Sequence, residues 1–316
     1  MVRLLFAAFL SVAGACRDTR TVEERWPNGT GQTQKQVKTG PDGEPVNHGR
    51  FAQWHPNGAR AVYTVYRDGR IDGEYLSWHE NGREKARGRY ADGRKTGTWE
   101  TWNDRGRAKS KGRFADGERE GPWATWHRNG QKKSQVEFLG GQEHGFSRLW
   151  YQNGKLEAKG AYNAGQKHGA WTVWYADGKE RSRGSFVRGK RDGEWTTWYV
   201  SGRIETVINY AEGRQHGSAT RWFEHGKKAW MKRYANGVEY GASLAWHENG
   251  QLASEMTYVH GKLDGTAEGW HEDGTLAFER FFRSGAEQPG AKYWDSTGNA
   301  VSEPDDEPID EPGGAE

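Results

Sequence analysis

Aromatic and glycine positions recur along the chain with a fixed period of 24 residues. One tryptophan stands at the same place in each repeat, and a glycine follows it four residues later. A second glycine set comes three residues after a Tyr or Phe, as in Tyr90 and Gly93. Regular spacing of this kind indicates tandem copies of one supersecondary unit. The repeated tryptophans are Trp54, Trp78, Trp102, Trp126, Trp150, Trp174, Trp198, Trp222, Trp246, Trp270 and Trp294.

Each repeat has the pattern of a β-hairpin. Residues 193–199 are rich in Thr and aromatic residues, which favour strands. A turn follows the repeated tryptophan, as residues 247–250 follow Trp246. The residue before the turn glycine varies and includes Arg105 and Thr297, so we expect a type I turn closed by a glycine bulge rather than a type I′ turn. The sequence predicts an all-β fold, an elongated antiparallel β-meander of tandem 24-residue hairpins in a single twisted sheet, without helices after the signal segment.

The period sets the expected domain boundaries. Ten full repeats cover 49–288, and a partial repeat extends the array to 298. Residues 1–15 are interpreted as a signal peptide, 16–48 as a tether with a degenerate cap repeat, and 299–316 as an acidic disordered tail.

Composition indicates a thin core made of rings. Hydrophobic residues make up 33% of the 316 residues, aromatic residues alone 13%, and mean hydropathy is −1.07. A disordered chain would lack the aromatic residues. The formal charge of +3 is too balanced to imply nucleic acid, whereas the seven acidic residues of 302–316 leave the repeat array as the basic part of the chain.

The first sixteen residues have the pattern of a secretory signal. Arg3 precedes an apolar run, small residues 13–15 follow, and the only cysteine of the chain, Cys16, stands where cleavage is expected. This segment resembles the lipobox of bacterial lipoproteins, although Ala13 stands where that motif most often has Leu. The resemblance implies lipidation of Cys16 and, because Arg17 rather than Asp follows it, location in the outer membrane. The alternative is plain secretion with Cys16 as a free thiol.

Two sets of aromatic residues receive different predictions. A three-residue loop would place the repeated tryptophans on the same side as the repeated Tyr and Phe, so we expect both to form the core. Glycines 88, 112, 160 and 184 lie two residues before the Tyr or Phe, where a neighbouring ring could cover bare backbone. A second tryptophan set becomes Ser or Ala in other repeats. We expect this set to be exposed for ligand contact, with packing across hairpins as the alternative: Trp99, Trp123, Trp171 and Trp195, with Phe51 and Tyr75 at equivalent positions.

The repeat G-x-W-x-x-W-H-x-N-G followed by x-Y-x-x-G resembles MORN repeats, in the bacterial variant of the YwqK antitoxin-like family. The resemblance spans 49–298. It implies a hairpin scaffold without catalysis. Choline-binding cell-wall repeats are a weaker resemblance, because they are less charged and shorter per unit.

Histidines follow several repeated tryptophans, but Tyr and Phe223 occupy the same position in other repeats. A zinc-ligand position would not accept Phe, so we expect no metal. Exposed strands do not desolvate carboxylates, and no catalytic or nucleotide-binding motif appears, so we also expect no cofactor and no enzyme activity. The leading hypothesis is a lipid-anchored cell-envelope scaffold for protein binding or assembly. The alternatives are binding of an envelope glycan through exposed Trp and Tyr, and peripheral binding to anionic membrane through the basic array. No nucleic-acid partner is expected.

Overall fold

The computed structural model describes residues 19–303, and this range contains 25 β-strands and no helix. The all-β prediction is confirmed. The chain divides into two units, Met1–Lys155 and Leu156–Glu316. The strands of the first unit are β1 (Thr19–Arg25), β2 (Gly31–Thr39), β3 (Pro45–Trp54), β4 (Arg60–Arg67), β5 (Arg70–Trp78), β6 (Glu84–Ala91), β7 (Arg94–Trp102), β8 (Ala108–Ala115), β9 (Glu118–Trp126), β10 (Lys132–Leu139) and β11 (Gln142–Trp150).

The second unit has the same alternation of strands, most of them eight or nine residues long. They are β12 (Leu156–Asn163), β13 (Gln166–Trp174), β14 (Glu180–Val187), β15 (Lys190–Trp198), β16 (Ile204–Ala211), β17 (Arg214–Trp222), β18 (Lys228–Ala235), β19 (Val238–Glu239), β20 (Gly241–Trp246), β21 (Leu252–Val259), β22 (Lys262–Trp270), β23 (Leu276–Arg283), β24 (Ala286–Trp294) and β25 (Ala300–Val301).

Within each unit the strands pair antiparallel with the next strand along the chain, except that β19 and β20 share β18 as their partner. Strand β7, for example, pairs with β6 on one side and β8 on the other, and β18 pairs with both β19 and β20, which are separated only by Tyr240. The predicted antiparallel meander of 24-residue hairpins is therefore confirmed, with each hairpin in contact with its sequence neighbours.

The turn after each repeated tryptophan is the predicted bulged turn. In the first full repeat the amide of Gly58 donates to the carbonyl of His55 at 2.9 Å, and the amide of His55 donates to the carbonyl of Ala59 at 2.8 Å. Gly58 has φ of 83°, the left-handed conformation that a glycine bulge requires. Only this glycine needs positive φ, so the preceding residue is free to vary.

The turn between hairpins is a tighter, two-residue turn. Ala91 pairs with Arg94, while Asp92 and Gly93 between them have φ of 47° and 78°. Positive φ at both central residues defines a type I′ turn, which matches the twist of the flanking strands. Nine residues other than glycine adopt the left-handed conformation at the first of these positions: Asp68, Asp92, Asp116, Ala164, Arg188, Glu212, Asn236, His260 and Ser284.

Hydrogen bonds at both ends of the strands join consecutive hairpins. At the type I′ end, the amide of Gly93 donates to the carbonyl of Ile71 at 2.8 Å. At the bulged end, Nε2 of His79 donates to the carbonyl of Trp102 at 3.1 Å. In the second unit the hydroxyl of Tyr175 donates to the carbonyl of Trp198 at 2.7 Å. In these repeats the residue after the repeated tryptophan is a ring with a donor at its far end, although Phe223 occupies the same position without one.

Within 16–48, interpreted as a tether with a degenerate cap repeat, residues 19–48 form regular paired strands and leave no tether in this range. Strands β1 and β2 form a hairpin, and β2 pairs with β3. The repeat architecture therefore extends to Thr19, because Asn28 and Gly29 supply the same turn chemistry as later repeats: the amide of Gly29 donates to the carbonyl of Trp26 at 2.8 Å. The predicted signal peptide, Cys16 and most of the acidic tail lie outside the described residues.

Candidate functional site

The second tryptophan set is buried, so the expectation that it is exposed is wrong. Trp99, Trp123, Trp171 and Trp195 are 4%, 7%, 3% and 6% exposed. With Trp230 they are the largest side chains of the core, and their burial supports the alternative interpretation, packing across hairpins. Rings this enclosed have too little free surface to stack on a ligand.

Each of these indoles lies flat over a glycine of the preceding strand. A Cβ atom at Gly88 would fall 2.2 Å from the ring carbons of Trp99, and the same holds at Gly160 for Trp171. The backbone at these glycines is therefore the surface on which the ring packs. The indole Nε1 of Trp99 donates to the carbonyl of Arg89 at 3.1 Å, and Nε1 of Trp171 donates to the carbonyl of Ala161 at 3.0 Å. The burial of a polar N–H is compensated in this way.

Two further contacts complete the environment of these rings. Tyr90 meets Trp99 edge to face with centroids 5.1 Å apart, a favourable arrangement of aromatic pairs. The ammonium of Lys95 lies 4.4 Å from the centroid of Trp99 and the guanidinium of Arg119 lies 4.7 Å from that of Trp123. Because a cation is attracted to the ring face, each cation covers its indole on the solvent side.

Burial at these rings changes the ionisation of their neighbours. The pKa of Lys95 is lowered, first because burial disfavours its charged form and second because Arg119 repels it. The pKa values of Tyr66 and Tyr90 are raised, chiefly by burial. The shifts of Lys95 and Tyr90 follow from their partial burial beside Trp99.

Where the tryptophan is missing, the residue opposite is large. Val136 faces Ser147, Ile208 faces Ala219, and Met256 faces Ala267. Ser147, Ala219 and Ala267 are at most 2% exposed, so the space is filled although the tryptophan is absent. The side chains at positions eleven residues apart therefore compensate each other in size. When the first position holds glycine the second holds tryptophan, and when the first holds a large side chain the second holds Ala or Ser.

A third position of the repeat, seven residues after the one that holds Gly88, changes together with the positions of Gly88 and Trp99. It holds Lys or Arg in the four repeats with a buried tryptophan: Lys95, Arg119, Lys167 and Arg191. In two other repeats a cation occupies the position equivalent to Gly88, and the position equivalent to Lys95 holds the carboxylate that pairs with it. Lys232 lies 3.5 Å from Glu239, and Arg280 donates from Nε to Glu287 at 2.8 Å.

The error in the sequence interpretation has two physical causes. Replacement of a tryptophan by Ser or Ala suggested that the fold does not need it, whereas the lost volume reappears on the facing strand. The strand pairing also shifts register at most of the repeated tryptophans, as between Thr101 and Trp102, and a one-residue shift changes which side a residue faces. Alignment of the repeats with one another, read as pairs of positions, contains the signal that single positions lack.

The repeated tryptophans are the more exposed set. All eleven are partly buried rather than fully buried, so the expectation that they form the inner core is wrong. Several carry a cation on the ring, such as Arg87 over Trp102 at 5.3 Å and Arg183 over Trp198 at 5.2 Å. Arg87 also pairs with Glu100 at 3.2 Å. The pKa of the Glu100 carboxyl is lowered, mainly by the hydrogen bond from Lys111 and to a smaller extent by Arg87.

Repeated tryptophans line open grooves in the first unit. One groove lies between Trp102 and Trp126 and has a volume of about 680 Å³, within the size range of small-molecule sites. Its wall also includes His79 and His127, the rings that donate to the carbonyls of repeated tryptophans. A second groove is lined by Trp26, Trp54 and Trp78 together with Tyr75 and Trp99.

Lysines at one repeat position add positive charge to this row. Lys85 and Lys109 line the groove between Trp102 and Trp126, and Lys133 is the equivalent residue one repeat later. All three are exposed, and within the described residues none has a carboxylate within ion-pair distance. The groove also contains Arg128 and Asp104, which lie 4.0 Å apart. The lysines therefore leave this groove with a net positive charge.

The other candidate residues fall in different places. Tyr75 is partly exposed, lines a groove and touches Tyr90 and Trp99, with centroids 5.6 and 5.5 Å apart. Phe51 is partly buried and packs edge to face on Tyr66 at 5.6 Å. Among residues 19–303 there is no group of three or more His, Cys, Asp or Glu that could hold a metal ion, and no helix long and apolar enough to cross a membrane.

Comparisons with known proteins identify the repeat type in one segment. Residues 239–260 match the MORN repeat variant family, which supports the MORN-type identity of the repeat; membership of the YwqK antitoxin-like family stays a prediction. No curated protein matches the chain.

Two similar solved structures are the crystal structure of TcdB2-TccC3 without its hypervariable C-terminal region and that of TcdB2-TccC3-Cdc42. Identity is 10% in both cases, and TM-scores are 0.19 and 0.13. The alignments cover 90% and 87% of this chain but only 16% and 24% of those chains. The chain thus spans less than a quarter of either, and TM-scores this low do not indicate a shared fold.

Proposed function

We propose that the chain is a non-catalytic, lipid-anchored repeat scaffold of the bacterial cell envelope that binds an extended partner along its repeated tryptophans. The observation that carries the proposal is the groove between Trp102 and Trp126, whose half-buried indoles recur at every repeat. A partner that contacts several repeats gains affinity from many weak, equivalent contacts. A protein segment or an envelope polymer would fit this pattern.

The burial of the second tryptophan set also supports the proposal. The four buried indoles, their glycines and their cations account for the packing of the sheet, so ring burial does not require the repeated tryptophans to be enclosed. Indoles that remain partly exposed beside cations are typical of binding surfaces, where aromatic and Arg residues are enriched. The match of 239–260 to a repeat family agrees with a scaffold role.

A photo-crosslinking amino acid at selected positions of the full chain tests the binding surface. Placed at Lys109 in the groove, it should capture an envelope component in living cells. Placed at Lys190, an exposed lysine beside a type I′ turn, it should capture far less of the same component. Equal capture at both positions would contradict the proposed surface.

The anchor has a separate test. We expect the mature N-terminal peptide to begin at Cys16 with lipid attached, and Cys16→Ser to release the protein from the membrane fraction. Mass spectrometry of the N-terminal peptide and fractionation of cells expressing the variant measure both. An unmodified peptide that begins elsewhere would refute the anchor but leave the binding surface untouched.

A further inference from the structure

The geometry points to an acidic polysaccharide with alternating neutral and charged sugars as the ligand of the groove row formed by Trp78, Trp102 and Trp126 with Lys85, Lys109 and Lys133. This inference rests on the proposed function and names the chemistry of its partner. Three features of the first unit lead to it: the ring surface, the unpaired charge and the spacing.

The indoles supply flat apolar surface for sugar rings. Trp102 and Trp126 stand on either side of one groove, and their amphipathic rings suit a ligand with apolar C–H faces and polar edges. The groove also holds hydrogen-bonding groups, namely Thr101, Asn103 and Ser110. Thr101 and Ser110 bond to each other at 2.7 Å, and Asn103 Oδ1 accepts from the amides of Arg105 and Arg107, so the wall of the groove is polar as well as aromatic.

The lysines supply one cation per repeat. Lys85, Lys109 and Lys133 are 24 residues apart and exposed. Two other cations nearby already have carboxylate partners: Lys111 lies 2.8 Å from Glu100, and Arg87 pairs with Glu100 at 3.2 Å and with Glu84 at 3.6 Å. A partner with regularly placed negative charge would complement the three lysines, and the Asp104 carboxylate is held by Arg128.

The spacing selects the class of polyanion. Successive hairpins advance by two strands, so equivalent lysines are about 9–10 Å apart at the usual interstrand spacing. This distance is comparable to the length of an extended disaccharide, and a polysaccharide with one acidic sugar in two carries one charge in each disaccharide. Duplex nucleic acid carries a phosphate about every 3.4 Å along each strand, too dense for one contact per repeat.

Binding of defined polymers to the full chain tests the inference. The acidic probe is a hyaluronan oligosaccharide, in which uronic acid and N-acetylhexosamine alternate. A chitin oligosaccharide of equal length presents similar rings without charge, and polyphosphate presents charge without rings. We expect the acidic oligosaccharide to bind more tightly than either of the others, as measured by calorimetry.

A charge-matched pair of variants locates the site. The triple variant Lys85→Gln, Lys109→Gln and Lys133→Gln should weaken binding of the acidic oligosaccharide about tenfold, because three exposed charge contacts are lost. The control variant Arg94→Gln, Lys190→Gln and Lys262→Gln removes the same charge at one repeat position beside the type I′ turns and should bind as wild type. Trp102→Phe should weaken binding without altering the melting temperature appreciably.

Each other result would overturn the inference. Equal losses in both triple variants would show a diffuse charge effect, and equal or tighter binding of polyphosphate or of anionic lipid vesicles would show that charge density rather than sugar is recognised. No binding of the acidic oligosaccharide, with position-dependent crosslinking at Lys109 retained, would refute the polysaccharide while leaving the proposed function standing.

Discussion

Two stretches of the second unit fill the same interior positions by opposite means. In β12–β15, Gly160 and Gly184 lie under the indoles of Trp171 and Trp195. In β16–β22 the large side chain moves to the other partner, as where Met256 faces Ala267. The fold therefore depends on the combined volume of the two facing side chains and not on which residue stands at either position, as dense interior packing requires.

The two stretches also differ in polar satisfaction. The indole N–H of Trp195 donates to the carbonyl of Ser185 at 3.1 Å. Within residues 19–303, the buried side-chain atoms without a hydrogen-bond partner are Gln215 Oε1, Trp230 Nε1, Glu239 Oε1 and Ser243 Oγ, all between β17 and β20. The glycine–tryptophan arrangement satisfies its polar group, whereas the stretch that replaced it carries the cost of unpaired polar atoms.

The largest expected effect separates the two tryptophan sets. Trp123→Ala should destabilise the fold by about 3–5 kcal/mol, because it removes a buried ring and leaves a cavity over Gly112. Trp126→Ala removes a partly exposed ring and should cost about 1–2 kcal/mol. Thermal melts of the two variants measure the difference; a greater loss for Trp126→Ala would reverse the assignment of the two sets.

A smaller effect concerns the buried ion pair of the second stretch. Lys232→Met leaves the Glu239 carboxylate without its cation in a site where its side chain is 16% exposed, and we expect a loss of about 1–3 kcal/mol. Adding Glu239→Leu recreates the apolar arrangement of Met256 and Leu263 and should restore most of that loss. Denaturant unfolding of both variants checks this. If the double variant is no more stable than the single one, the three-position rule fails here.

The pair of Arg280 and Glu287 should make stability depend on acid pH. Hydrogen bonding from Arg280 lowers the pKa of Glu287 below its usual 4.5. A carboxyl whose pKa is lower in the folded state contributes stability that is present above pH 4.5 and is lost as the pH falls through the folded pKa. Glu287→Gln should therefore lower the melting temperature at pH 7 and flatten its fall between pH 5 and about pH 3. An unchanged acid profile would show that this pair does not contribute.

The smallest expected effect is at the type I′ turns. Ala164 has φ of 47°, a conformation that costs a residue with a Cβ atom about 1–2 kcal/mol. Ala164→Gly removes this strain but makes the unfolded chain more flexible, so we expect a net gain of about 0.5 kcal/mol. Melting curves should show a small rise for Ala164→Gly. The neighbouring variant Gly165→Ala, at φ of 76°, serves as the matched control and should be destabilised.

Much of the fold could be predicted from the sequence because the repeat is regular. The 24-residue period gives the hairpins, and the variation of Arg105 and Thr297 before the turn glycine indicates the bulged turn. The type I′ turns were not predicted, since residues such as Ala164 and Arg188 are unusual there. The hairpin of β1 and β2 was interpreted as part of a tether with a degenerate cap repeat, because its spacing is out of phase with the array.

The assignment of the two tryptophan sets could not be obtained from single positions. Strand alternation predicts faces only when every bulge is known, and the register shift beside Trp102 leaves no sequence signature of its own. The facing glycines, Gly88 and its equivalents, indicated that some ring covers bare backbone. Which ring covers the glycine can be identified only when the residues equivalent to Gly88 and Trp99 are compared across all repeats.

The most direct test of the account is a double-mutant cycle at Gly160 and Trp171. Gly160→Val introduces a side chain where the indole lies, and Trp171→Ser removes the indole; each alone should be destabilising, by about 1–3 kcal/mol for the first and about 3–5 kcal/mol for the second. Together they recreate the pair formed by Val136 and Ser147. We expect the loss of stability in the double variant to be smaller than the sum of the two single losses by at least about 1 kcal/mol. Additive losses would contradict the exchange of volume between facing positions.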